Sequence, residues 1–141
     1  MRTGLMRTIN KIIVHCTDSD NPRVDIAEIR RWHVQERHFD DIGYHWVILS
    51  DAKAHAGRPE EIPGAHCEGH NFDSLGIAVH MKNIIHEDQM NALKELLLKK
   101  CKQYKILPEN IFPHNQFSTK TCPNFDVSPF RAYVAEILKG V

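Results

Sequence analysis

Ten histidines and four cysteines in 141 residues are the first chemistry this chain offers, because neutral imidazoles and thiolates both hold transition-metal ions. In Pro113-His114-Asn115-Gln116-Phe117-Ser118-Thr119-Lys120-Thr121-Cys122-Pro123, seven residues separate His114 from Cys122. That is not a zinc-finger spacing, so a metal reading needs another ligand from elsewhere in the chain. His15, near the end of an apolar run, is the best-placed donor. Three protein ligands leave a fourth tetrahedral position for water, the layout of a catalytic rather than a structural zinc. A plain structural account fits too: His15 hydrogen-bonded at a strand end, Cys122 a small buried hydrophobe and His114 a loop residue. Spacing alone leaves both open.

Positioning these groups requires ordered elements. Ile9-Asn10-Lys11-Ile12-Ile13-Val14-His15-Cys16 is apolar and largely β-branched and breaks at Thr17-Asp18-Ser19-Asp20-Asn21-Pro22, which predicts a buried strand running into a loop. Alternation sends Ile13 and His15 to one face and Ile12, Val14 and Cys16 to the other. His15 and Cys16 are therefore expected not to share a site. Across residues 24–38, Ile26, Ile29, Trp32 and His33 follow the helical period, with Asp25 placed to bond the first free amides. Gly43-Tyr44-His45-Trp46-Val47-Ile48-Leu49 predicts a second strand with Tyr44, Trp46 and Ile48 on one face and His45 on the other. Residues 51–56 read as a turn and a short third strand.

Residues 57–74, rich in Gly, Pro and polar side chains, predict a long loop of the kind that carries function in a compact domain. Leu75-Gly76-Ile77-Ala78-Val79-His80 resumes a buried strand. Met90, Leu93, Leu97, Cys101 and Tyr104 form one stripe of a helix over 87–105, with Cys101 a core residue. Ile111-Phe112 leads into His114. Ser128 as N-cap and Pro129 in the first turn open a last helix, whose Phe130, Val134, Ile137 and Leu138 face inward until Gly140. This alternation, without repeat or linker, predicts an α/β (α+β) class: a single domain with one central mixed sheet of about five strands flanked by helices. Residues 1–7, where Met1-Arg2-Thr3 recurs as Met6-Arg7-Thr8, are set aside as a leader with no assigned role, and 8–141 form the domain.

Composition narrows the function. With 42% hydrophobic and 26% charged residues, the chain is no disordered tail; at this length folding buries roughly two-thirds of the extended-chain surface. Lys plus Arg and Asp plus Glu both total 18, which argues against a nucleic-acid binder that tracks phosphates. No apolar stretch is long enough for a membrane span or a secretory signal, so no membrane insertion is expected and the location at synthesis is read as cytoplasmic. Free thiols are the expectation there for all four cysteines.

Val14-His15-Cys16-Thr17, Gly43-Tyr44-His45, Ala56-Gly57-Arg58, Gly64-Ala65-His66, Gly69-His70-Asn71, Ser74-Leu75-Gly76-Ile77 and Lys120-Thr121-Cys122-Pro123-Asn124-Phe125-Asp126 occur in this order. Together they resemble the zinc-dependent N-acetylmuramoyl-L-alanine amidase type 2 family, which includes T7-lysozyme-type endolysins and catalytic peptidoglycan recognition proteins. The resemblance spans about residues 8–138.

The resemblance implies one Zn²⁺ per chain held by His15, His114 and Cys122, with Tyr44 and Lys120 as the catalytic polar pair. If the stretch from Lys120 to Cys122 is extended, both side chains face the same way. Arg58, His66 and Asn71 fall in the loop resembling the family's substrate groove. His45, facing away from Tyr44, is given a structural role, and His33, His38, His55, His70, His80 and His86 are left without one. The implied reaction hydrolyses the amide between N-acetylmuramic acid and L-alanine, by a monomer, on peptidoglycan or muropeptides. A lytic phage-type enzyme would need a separate permeabilising protein to reach the wall. The alternatives are a cytosolic amidase that trims recycled muropeptides and a non-catalytic peptidoglycan-binding module, the latter disfavoured by the presence of Cys122.

Overall fold

Strand β1 (Lys11–Cys16) occupies an interior position in a five-stranded sheet ordered β3-β2-β4-β1-β5. The computed structural model describes residues 7–140. The other strands are β2 (Trp46–Ile48), β3 (Ala54–Ala56), β4 (Ser74–Val79) and β5 (Ile111–Pro113). β1 pairs in parallel with β4 and β5, β2 in parallel with β4, and β3 closes one edge antiparallel to β2. A sheet that is mostly parallel is covered on both faces, and burial of every β4 residue and all but the first of β1 agrees.

Helices α2 (Glu87–Tyr104) and α3 (Ser128–Lys139) cover one face. Ile12, Val14 and Cys16 of β1 and Leu75, Ile77 and Val79 of β4 pack there with Leu93, Leu97 and Cys101 of α2 and Phe130 and Val134 of α3. This is the expected alternation. Helix α1 (Ile26–Arg31) covers part of the other face, where Ile29 joins Ile42, Val47, Leu49 and Ala78.

Three local expectations change. Asp25 caps α1 through Glu28 N–H at 2.9 Å, but the helix then widens into a π-helical turn, Trp32–Glu36, in which Arg37 N–H bonds Trp32 O. His33 faces inward as its place in the helical period predicts, and its Nδ1 accepts Gly43 N–H at 2.7 Å. Residues 43–45 precede β2 rather than belonging to it. The period-two rule therefore does not reach Tyr44, which packs with Val47 and Leu49 while Trp46 packs with Ile48 against the opposite cluster. At α3 the bonded acid is Asp126, whose carboxylate accepts Ser128 N–H at 2.9 Å, so Ser128 is the first helical residue rather than the cap.

Arg7, set aside with the leader, is bonded to the long loop. Residues 1–6 lie outside the described residues, but Arg7 is 4% exposed. Its guanidinium donates to the carbonyls of Glu60, Phe72 and Ser74. It pins both ends of the long loop, whose Glu60 carboxylate also accepts from Trp46 Nε1, Lys100 Nζ and Tyr104 Oη. A buried guanidinium needs several acceptors, and unpaired loop carbonyls supply them.

Candidate metal centre and its cavity

The register of β1 and β5 assembles the first half of the site. Val14 pairs with Pro113, so one further step in parallel register sets His15 beside His114. Their ring centroids are 4.3 Å apart. Both stand at the carboxyl ends of neighbouring strands, where ligand sites of parallel sheets form. The second half comes from the segment before α3, which returns Cys122 over the end of β1, with Sγ 3.0 Å from Cys16 N and accepting its N–H. Candidate ligand atoms of His15, His114 and Cys122 all lie within 4.8 Å of one another. The expectation that Cys16 stays away from the site holds for neither its amide nor the cavity wall, which it helps line.

The donors meet the requirements of a transition-metal site. His114 Nδ1 is, among the described residues, the one buried side-chain nitrogen or oxygen without a hydrogen-bond partner. An orphaned imidazole nitrogen beside a second imidazole and a thiol is costly unless a ligand satisfies it. Burial, then His66 and His114, hold His15 well below the usual imidazole pKa, and burial and Lys120 lower that of His114. Both rings are thus neutral, as metal ligation demands.

Above the three donors lies a cavity of about 420 Å³ whose wall includes Thr17, Arg37, Tyr44 and Lys120. Tyr44 is buried, with its ring 5.2 Å from that of His15, and burial raises its phenol pKa, so the hydroxyl keeps its proton at neutral pH. The stretch from Lys120 to Cys122 is not extended: it bends, and Asn124 N–H closes a turn onto Thr121 O. Lys120 nevertheless lines the same wall as Cys122 because the bend curls around the opening. A second cleft of about 530 Å³ adjoins, with Asn71, Glu68, Phe117 and Arg37 in its lining.

The three loop residues expected at the groove separate. Arg58 spends its guanidinium on the carbonyls of Ile42, Pro63 and Asp41 at 2.9–3.1 Å and lines neither cavity. Asn71 lines the adjoining cleft while its Oδ1 accepts the amides of His66 and Cys67. His66 is 8% exposed and both its nitrogens are engaged, Nδ1 with His15 Nε2 at 2.9 Å and Nε2 with Ser74 Oγ at 3.1 Å. It stands behind His15, with no nitrogen left for a substrate.

Two residues escaped the sequence reading. His80 ties the loop after β1 to β4 through Thr17 Oγ1 at 2.7 Å and Asn21 O at 2.8 Å, contacts between distant positions that no local pattern announces. Arg37 reaches both cavities because of the π-helical turn, which periodicity alone does not reveal. His45 has the structural role expected of it: Nδ1 accepts Gly76 N–H at 3.0 Å and Nε2 donates to Ile62 O at 2.8 Å. All four cysteines are thiols, with Cys101 in the core.

The chain as a whole is similar to known proteins. Residues 5–125 match the family described as N-acetylmuramoyl-L-alanine amidase. The endolysin of Escherichia phage T7 is 32% identical over 125 residues, covering 82% of this chain and 81% of the relative. The endolysin of Klebsiella phage KP32 is 32% identical over 127 residues, covering 84% and 82%. Among solved structures, the N-acetylmuramoyl-L-alanine amidase LysC from Clostridium intestinale URNW superposes with a TM-score of 0.80 at 28% identity, covering 94% of this chain and 87% of that one.

Proposed function

Since the chain belongs to the N-acetylmuramoyl-L-alanine amidase family, we propose that it is a phage-type peptidoglycan hydrolase using one zinc ion held by His15, His114 and Cys122. The observation that carries this reading is the convergence of two neutral imidazoles and a thiol within 4.8 Å beneath an open cavity. The bond cut is the amide joining the lactyl carbonyl of N-acetylmuramic acid to the amine of L-alanine. When bound, zinc would supply Lewis-acid polarisation of that carbonyl and lower the pKa of a water to about 7.

The chain's own groups do the rest. Tyr44, a protonated phenol on the cavity wall, donates a hydrogen bond that orients water or shares the charge on the carbonyl oxygen. Lys120 brings an ammonium to that oxygen as negative charge builds there, and a charge-assisted bond of this kind strengthens towards the transition state. Asn71 and Arg37 line the surface along which glycan or stem peptide lies. The protein acts as a monomer on the cell wall. Among the described residues no helix is long and apolar enough to cross a membrane.

The test incubates purified protein with intact sacculi and, separately, with soluble anhydro-muropeptides, and counts newly freed L-alanine amino groups with and without a chelator. Chelator-sensitive release from sacculi is expected. Release from soluble fragments alone would identify a recycling amidase, and binding to sacculi without release a recognition module.

A further inference from the structure

His66 sits at the midpoint of a buried hydrogen-bond chain that begins at a candidate metal ligand and ends on a backbone carbonyl. His15 Nε2 lies 2.9 Å from His66 Nδ1, His66 Nε2 lies 3.1 Å from Ser74 Oγ, and Ser74 Oγ donates to His70 O at 2.6 Å. His15, His66 and Ser74 are all buried.

The protons along this chain can be counted. Ser74 Oγ has one hydrogen, and the contact with His70 O uses it, since two oxygens 2.6 Å apart repel without a proton between them. Ser74 therefore accepts from His66, which places a proton on His66 Nε2. A neutral imidazole carries one N–H, so His66 Nδ1 is a bare lone pair and accepts from His15 Nε2–H. His15 then has no proton on Nδ1. Both rings are buried, and burial favours an uncharged imidazole.

The sheet fixes the ring as well as its protons. Gly76 of β4, paired with Ile13 on the face that carries His15, has no side chain, and a Cβ built there would come within 2.5 Å of His66 Cγ. The ring lies against bare backbone, in space that a side chain at position 76 would take.

We infer that His66 is a positioning residue: it locks His15 in the Nε2–H tautomer and so turns the Nδ1 lone pair of His15 towards the metal. This rests on the proposed His15–His114–Cys122 site. Outer partners of this kind orient metal-bound imidazoles and change metal affinity by about 10–100-fold.

Two measurements test it. Long-range ¹H–¹⁵N imidazole spectra of the metal-stripped wild-type protein should show His15 and His66 both protonated on Nε2. Zinc titration against a chromophoric chelator should show about 10–100-fold weaker binding for His66→Ala. His66→Asn, whose Oδ1 stands where Nδ1 stood, should stay close to wild type. A His15 protonated on Nδ1, unchanged affinity in the alanine variant, or equal weakening in both variants overturns the inference. Should His66→Ala fail to fold, Ser74→Ala decides instead: it removes the acceptor, so the His66 signals should become a mixture of tautomers, and unchanged signals count against the chain. A wild-type protein that takes up no zinc sinks the metal site, while its tautomer spectra still judge the relay.

Discussion

The backbone amide of Cys16 donates to the sulfur of Cys122 across 3.0 Å, although the two residues are 106 positions apart. The Cys16 side chain and burial raise the Cys122 thiol pKa, and this N–H, from the residue directly after His15, works against them by favouring the thiolate. The strand that supplies one candidate imidazole ligand thereby also contacts the candidate sulfur ligand.

Cys122→Ala should abolish metal retention. The thiolate contributes the only formal negative charge among the three donors, and removing it leaves two neutral imidazoles. Zinc content by atomic emission should fall from one per chain to near zero, and amide hydrolysis with it. A variant retaining full zinc would remove Cys122 from the ligand set.

Lys120→Ala should behave differently. It should keep its zinc but lose on the order of a hundredfold or more in kcat, equivalent to roughly 3 kcal/mol of transition-state stabilisation. Zinc loss matching that of Cys122→Ala would make Lys120 part of the metal site instead of the oxyanion contact.

Two arginines should separate binding from stability. Arg58→Ala deprives three carbonyls of one charged donor and should lower unfolding free energy by roughly 2–4 kcal/mol, with KM unchanged in the folded fraction. Arg37→Ala, at the wall of both cavities, should raise KM for sacculi and leave the urea midpoint alone. Exchanged outcomes would refute both assignments.

Acid should destabilise the fold before carboxylates titrate. Burial lowers the His45 pKa from 6.5 to about 4, so between those values the unfolded chain binds a proton the folded one refuses. This stabilisation is complete above about pH 6.5 and is lost as pH falls towards 4. For His45 it amounts to on the order of 3 kcal/mol. His33, its pKa lowered to about 4 by burial and then by Arg37 and Arg58, acts in the same direction. Urea midpoints at successive pH values should show the decline, and His45→Gln, which cannot protonate, should flatten it.

Periodicity carried most of the architecture. The β1 alternation, the α2 stripe through Leu93, Leu97 and Cys101 and the long loop from 57 to 74 were all legible, because burial on one face imposes a repeat that local sequence must obey. It failed at Tyr44, where the chain leaves the sheet and hydrogen bonds to Gly76 and Arg58 dictate the backbone, and at residues 32–36, where a π-helical turn breaks the helical count. Arg58 and His66 show a different limit. Their presence in a polar loop said nothing of where their donors point, since backbone carbonyls and a buried imidazole compete with substrate for the same groups.

Residue types alone established a soft-donor inventory with His15, His114 and Cys122 as its best members, and the ordered motifs tied that inventory to a family. Tertiary structure alone decided that Val14 pairs with Pro113, that Cys16 faces the sulfur and that His66 backs His15. Pairing register and hydrogen-bond partners join positions tens of residues apart, and they are set when the whole chain buries its apolar surface and satisfies its buried polar groups together.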